Sequence, residues 1–396
     1  MQNLATKIKP DILKTGNGKN LPPQNKKAAD LTKHKKNPDY FLLASLGILF
    51  VFICTMPFKI RHYPSYVDWK TISLLSGLFV ITSGLRLSNF FHYLSKQMVK
   101  RVRHENTLAF LLISIAAIFS MFLTNDISIL IIVPITLSLS STIKNDTHKF
   151  IILEIIAVNA GSLLSPIGNP QNIYIWHKWH IPFFKFILHM LPLFTLLFLL
   201  LLVFAHLTTK KTPLRYHRKN NNIAVDKKLL VVSVISFILF IVSEELKITL
   251  YVLPAILGIY LIFFKKVIKK TNWSLIVLFV VLFIDIHLIS ELNIIKNLLS
   301  SIKPGRTDNL YFSGILLSQI ISNVPATFLL ANFNVNWKVL VYSVNIGGAG
   351  IVTGSLANLI ALKLVDSKKI FAKFHIYSFI FLILSTGIGF LLILKF

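Results

Sequence analysis

From residue 40 onward the chain alternates long apolar stretches with short polar ones. The apolar runs include residues 41–56, 183–206, 229–243, 248–264, 273–289 and 374–394. A helix needs roughly 20 apolar residues to cross a bilayer, and flanking Lys, Trp and Tyr extend the shorter runs at the interface. Two further apolar stretches are interrupted near the middle. Arms 107–123 and 127–140 flank Thr124-Asn125-Asp126, and arms 309–322 and 325–332 flank Ser322-Asn323-Val324. Each arm is too short to span, and no hydrophilic loop separates the arms. The pattern therefore predicts two re-entrant helical hairpins, 107–140 and 309–332, with tips near mid-membrane.

After each interrupted stretch comes a second irregularity, and the two match. VNAGSLLSPIGNPQN places Asn159, Gly161, Gly168 and Asn172 in the first half; VNIGGAGIVTGSLAN places Asn345, Gly347, Gly354 and Asn358 at the same spacing in the second. Gly161, Pro166, Gly168 and Pro170 oppose continuous helix, as do Gly347, Gly348, Gly350 and Gly354. Backbone within the hydrocarbon must satisfy its own hydrogen bonds, so unwound helix is tolerated only where it lines a protein cavity. Paired breaks in two apolar halves are the sequence pointer to the binding site of a secondary transporter.

Composition agrees with a membrane chain: 54% of residues are hydrophobic, 14% are charged, and Phe alone contributes 32. The net charge of +27 would suggest nucleic acid in a soluble protein. Here the positive-inside rule accounts for it. Segments 1–39, 86–105, 141–149, 207–228, 265–272 and 363–373 hold 31 of the 42 Lys and Arg. They fall on one side only if the hairpins are re-entrant, entering from opposite sides. The single Cys54, inside the first apolar run, reads as a small core residue. No Cys/His spacing resembles a zinc site, and no signal peptide is expected.

The expected fold is an all-α polytopic membrane protein, an inverted-repeat transporter fold with two re-entrant hairpins and two unwound transmembrane helices. Residues 1–39 read as a disordered basic cytoplasmic tail and 40–206 as the first transmembrane repeat. Residues 207–228 form a basic cytoplasmic linker, and 229–396 the second repeat. Nine crossings follow, four in the first half (41–56, 70–85, 149–176 and 183–206) and five in the second. That places the protein in the inner or plasma membrane with its N-terminus cytoplasmic and its C-terminus outside.

The candidate site draws on both halves: Thr124, Asn125, Asp126, Asn159, Gly161, Gly168 and Asn172 from the first, and Ser322, Asn323, Asn345, Gly347, Gly354 and Asn358 from the second. Unwound carbonyls can hold Na⁺, with Asn125, Asn159, Asn323 and Asn345 as the side chains for it, while half-helix N-termini face an anion. Two plainer readings stand beside this one: small residues for tight helix packing, and Ser, Thr or Asn as helix caps. Asp126, whose counterpart is Val324, carries a coupling proton or Na⁺, or caps the second arm. Glu154 and Asp285 are expected nearer helix ends, paired or wet. His189, Trp69, Trp176, Trp179 and Trp273 are expected at the interface. No cofactor is called for beyond a coupling ion, Na⁺ or H⁺. The partners are a small anionic substrate and the lipid bilayer, with no nucleic acid; a homodimer is compatible. An enzyme is disfavoured by the lack of a nucleophile–base pair within the spans, and a channel by the lack of rings of like residues.

At these residues the chain resembles the ion-transporter superfamily, in its citrate-transporter-like branch, related to the arsenite permeases and the divalent-anion/sodium symporters. The resemblance spans about residues 40–395. It rests on Thr124-Asn125-Asp126 with Pro134, Asn159–Asn172, Ser322-Asn323-Val324-Pro325 and Asn345–Asn358. It implies inverted repeats, a scaffold, and a transport domain that moves like an elevator. The dicarboxylate symporters carry Ser-Asn-Thr at both tips, and this chain departs from them; Asn-Asp at the first tip is closer to the citrate and arsenite relatives. The implied function is transport of a small citrate- or dicarboxylate-like anion coupled to Na⁺ or H⁺, with efflux of an arsenite-like oxyanion as the alternative.

Overall fold

A computed structural model describes residues 40–395 apart from 141, 144, 145, 215–222, 334 and 366. The expected tail 1–39 and residues 215–222 of the expected linker lie outside the described residues. The chain opens with α1 (Tyr40–Thr55), which meets the 3₁₀ turn Pro57–His62 and the short helix α2 (Tyr63–Tyr66) at an angle of 118°. Asp68 then caps α3 (Trp69–Leu87), accepting from the Thr71 amide at 3.1 Å and the Thr71 hydroxyl at 2.8 Å. The amphipathic α4 (Phe90–Val99) leads into α5 (Glu105–Phe122) and α6 (Asn125–Ser138). Only Leu123 and Thr124 separate these last two, so the expected arms of the first hairpin appear within about two residues of their sequence bounds.

The expected crossing 149–176 is two helices, α7 (Thr147–Ser162) and α8 (Pro170–Lys178), joined by an irregular segment. Asn169 caps α8, accepting from the Asn172 amide at 2.9 Å, and Pro170 occupies the first helical position, where its missing N–H costs nothing. The long α9 (Phe183–Thr208) closes the first half.

The second half repeats the order. Asp226 caps α10 (Lys227–Glu245), and α11 (Thr249–Phe263) and α12 (Lys265–Lys270) follow. Next come α13 (Trp273–Glu291), the amphipathic α14 (Asn293–Ile302), and the broken pair α15 (Thr307–Ile321) and α16 (Asn323–Leu330). A second interrupted helix gives α17 (Trp337–Ile346) and α18 (Leu356–Val365), and α19 (Lys368–Ile393) ends the described chain.

Five of these helices are long and apolar enough to cross a membrane, or six if the bent opening pair counts as one span. Burial sorts the elements into a core and a jacket. In α7 every residue from Phe150 to Ser162 is buried, and α16 is buried along its whole length. By contrast Leu188, Leu199, Ile235, Ile262, Ile383 and Leu391 on α9, α10, α11 and α19 are exposed. An apolar surface this extensive suits lipid and not water. Helices α7, α8 and α16 thus sit inside together with most of α3, and α9, α10, α11 and α19 present the apolar outer faces.

Three expectations are corrected by burial. Cys54 is exposed, because α1 buries only Ser45 and Phe52. Trp176, expected at the interface, is buried, its ring 5.9 Å from that of Phe183. Glu154 and Asp285 are neither near helix ends nor wet; both are buried more than a turn inside α7 and α13.

Candidate functional site

The two interrupted helices meet through their asparagines. Asn159 Nδ2 donates to Asn358 Oδ1 at 2.7 Å, and Asn345 Nδ2 donates to Asn172 Oδ1 at 2.7 Å. The first Asn of each copy therefore bonds the second Asn of the other copy. Each first Asn also donates to the carbonyl one turn back on its own helix, Asn159 to Ile155 and Asn345 to Val341. Each second Asn turns its own Nδ2 on the unwound backbone: Asn172 to the carbonyls of Ser162, Leu163 and Ser165, and Asn358 to that of Gly348. Ser162 and Gly348 are matching positions in the two copies. Bonds like these satisfy carbonyls that a helix break would otherwise leave orphaned.

The glycines repeat across the halves in the same way. A Cβ on Gly161 would lie 2.3 Å from the Ala117 carbonyl and from Ser120 Oγ; one on Gly347 would lie 2.5 Å from Ser318 Cβ. These two positions let α7 approach α5, and α17 approach α15, more closely than any side chain permits. Packing is thus an observed role for both. At Gly350 the backbone itself requires glycine, with φ of +96° and Gln319 Oε1 2.3 Å from any added Cβ.

The hairpin tips touch the same region. The Asn125 amide donates to the Gly168 carbonyl at 3.0 Å, tying the first tip to the first unwound segment. A Cβ on Gly348 would stand 3.2 Å from Asn323 Nδ2 and 3.6 Å from Asn159 Oδ1, so the second tip reaches both copies. Ser322 holds φ of +77°, a left-handed conformation that a non-glycine residue adopts only under strain. Thr124, at the equivalent place, is ordinary extended backbone with φ of −61°. Asp126 is buried beside Asn125, whose Oδ1 accepts from the Asp126 amide at 3.0 Å.

Four helices, α6, α8, α16 and α18, begin at these breaks, so four positive dipole ends are gathered around the paired asparagines. Among the described residues, Thr124 Oγ1, Ser128 Oγ, Gln171 Oε1, Ser322 Oγ and Ser355 Oγ are buried without a hydrogen-bond partner. A buried hydroxyl left unpaired costs roughly 1–3 kcal/mol, and such groups mark places suited to a polar ligand or water.

Several participants were not singled out from the sequence. Asn169 Nδ2 donates to Asn345 Oδ1 at 2.9 Å and to Ser162 Oγ at 3.2 Å, so it is a fifth member of the asparagine cluster. Its position just before Pro170, in a run of helix-start residues, was the available signal. Gln319 Nε2 donates to the carbonyls of Gly347 and Ala349, and its Oε1 accepts from the Ile351 amide. A long amide side chain in an otherwise apolar and serine-bearing hairpin arm is the available signal. Its partners lie about 30 residues away and could not have been named.

A cavity of about 230 Å³ is lined by Asp68, Lys178, Tyr66, His287 and Asn332, among others. Three of its lining rings pack together: Phe283 stacks on Phe328 at 4.2 Å, and Tyr174 meets Phe328 edge-on at 4.7 Å. Tyr174 lies two residues past Asn172, and Phe328 five past the tip Asn323. A larger cavity of about 420 Å³ lies among α3, α8, α10 and α11, where His177 Nδ1 and Glu244 Oε1 are 2.8 Å apart. None of the paired asparagines lines it.

A family profile described as "Citrate transporter" matches residues 40–338. The Escherichia coli "Inner membrane protein YbiR" is 36% identical over 352 residues, covering 89% of this chain and 94% of that protein. The "Uncharacterized transporter MJ0456" of Methanocaldococcus jannaschii is 36% identical over 330 residues, covering 82% of this chain and 88% of its own. The mouse "P protein" is similar over a shorter stretch, 29% identical over 118 residues, or 30% of this chain and 14% of that one.

Proposed function

Because the chain belongs to the citrate transporter family, we propose that it is a secondary active transporter of a small citrate- or dicarboxylate-like anion, driven by Na⁺ or H⁺. The observation that carries this reading is the reciprocal bonding of Asn159 with Asn358 and of Asn345 with Asn172 at two helix breaks. Exchanging the halves turns one bond into the other, as a two-fold relation between inverted repeats requires. In this reading the breaks converge near mid-membrane, where the four helix N-termini stabilise the anion. The hydroxyls of Thr124 and Ser322 orient it. The amide oxygens of Asn125, Asn159, Asn323 and Asn345, with unwound carbonyls, supply the donors for Na⁺ if Na⁺ is the coupling ion.

The hairpins and broken helices would move as one body against the remaining helices, in the manner of an elevator. The close packing at Gly161 and Gly347 suits that, since it locks each first hairpin arm to its broken helix. An oxyanion efflux permease is the second reading, since Asn125-Asp126 at the first tip resembles the arsenite relatives as well as the citrate ones.

The test is a panel of radiolabelled anions, citrate, succinate and arsenite among them, in proteoliposomes with imposed Na⁺ or pH gradients. Gradient-driven accumulation of a carboxylate supports the first reading, and arsenite movement alone supports the second. Flux that ignores every gradient would indicate a channel and remove both.

A further inference from the structure

Asp285 has a counterpart, Ile81, in the first half and no place in the asparagine cluster. It is 2% exposed, and neither of its carboxylate oxygens has a hydrogen-bond partner among the described residues. Tyr63 Oη, on α2, is buried and unpartnered as well, and lies close enough for the Asp285 charge to act on it. Three unsatisfied buried oxygens thus lie on α13 and on α2, which packs against it. A bare carboxylate there would be very costly, so the place calls for a proton or a cation.

The charges on the surrounding elements leave Asp285 without a counter-ion. Helix α13 packs against α1, α2, α3, α14 and α16. Helix α16 carries no ionisable residue, and α1 has only Tyr40 and Cys54 near its ends. Helix α3 has Lys70 and Arg86 near its two ends, and Lys296 is on α14. On α13 itself, His287 stacks on Tyr66 and lies 3.5 Å from Glu291, and Glu291 is also bonded by Lys59 of the 3₁₀ turn. Lys59 and His287 are therefore engaged with Glu291, and none of these cations forms an ion pair with Asp285 among the described residues. A hard cation gathers about six oxygens, whereas the carboxylate and one phenol offer three, so the geometry favours a proton. Glu154, the other acid deep in a helix, has one oxygen already bonded by Thr136 and serves as a helix-to-helix tie.

We propose that Asp285 is the proton-binding carboxyl of the transport cycle, an inference that rests on the transporter reading for its coupling role. The carboxylate takes up one proton from the water on one side and is then buried as the neutral acid. It gives up that proton when the contact between α13 and α16 opens. Phe283, two residues before Asp285, stacks on Phe328 of the second tip's helix, so a shift of that hairpin changes the surroundings of Asp285 directly.

The experiment has two arms, both on the full chain in proteoliposomes. Infrared difference spectroscopy without substrate should show a protonated-carboxyl band at neutral pH that vanishes in Asp285→Asn and returns, shifted, in Asp285→Glu. In the second arm, citrate accumulation driven by a pH gradient should fall about tenfold in Asp285→Asn, while citrate exchange at equal pH stays within about twofold of wild type. Asp285→Glu should recover part of the driven uptake. A band unchanged by Asp285→Asn, or gradient-driven uptake intact in that variant, overturns the proposal. If no anion moves in any variant the transporter reading fails, and the infrared arm still decides whether Asp285 binds the proton. Should Asp285→Asn fail to fold, Asp285→Glu carries the infrared arm through its shifted band.

Discussion

Each of the four duplicated asparagines makes two kinds of bond, to a partner Asn in the other copy and to backbone carbonyls of its own half. In a buried setting the cost of breaking such a bond is set by the group left unpaired, roughly 1–3 kcal/mol. Asn358→Ala removes the acceptor of Asn159 Nδ2 and the donor to the Gly348 carbonyl. It should lower the stability of the purified protein by roughly that amount in thermal unfolding. Asn159→Ala should do likewise, and the double variant should cost clearly less than the sum of the two, since both remove the same bond. Strict additivity would show that the pair is not coupled. This is also where capping, packing and ligand binding, left open by the sequence, resolve in part. Gly161 and Gly347 have an observed packing role, and the asparagines hold the breaks open.

At the scale of elements, the two pieces of the first interrupted helix each begin with a side-chain cap. Asn169 caps α8, and Asp146 caps α7, accepting from the His148 amide at 3.1 Å. Asp146 is also bonded by Lys373 of α19, fastening the start of the first broken helix to the last helix of the chain. Partial burial works against its ionisation, but Lys373 and the His148 amide outweigh that and hold its carboxyl below the ordinary Asp range. A folded-state pKa below the unfolded one stabilises the fold at pH above the unfolded value, and the contribution fades as pH falls through the folded one. Asp146→Ala should therefore cost about 1 kcal/mol near neutral pH, mostly from the lost cap, because the half-exposed ion pair is screened. Below about pH 4 the gap between variant and wild type should narrow, measured as thermal unfolding against pH. A gap that stays constant into acid would assign the effect to packing alone.

For the whole molecule, the arrangement separates a buried interior around α7, α8 and α16 from a jacket with apolar outer faces. Its orientation follows from the charge distribution and has a direct test. The chain has one cysteine, the exposed Cys54, so Cys54→Ser gives a cysteine-free background in a single step. In that background Lys100→Cys, between α4 and α5, should react with an impermeant thiol reagent only from the cytoplasmic side. Gly305→Cys, between α14 and α15, should react only from outside. Both positions are exposed. Labelling of both from one face would end the inverted arrangement, and the opposite pattern would reverse the orientation.

The amino-acid order alone located both hairpin breaks and both helix interruptions to within a few residues. Proline, glycine, asparagine and the capping residues act on the backbone next to them, and apolar run length is a local property. The all-helical class and the polar residues worth attention follow from the same local rules. Only the tertiary structure decided which asparagine bonds which, because Asn159 and Asn358 stand 199 positions apart and meet through packing. It also placed Trp176, Glu154 and Asp285 in the interior. Whether a residue in an apolar helix faces lipid, water or another helix depends on neighbours that no run length specifies.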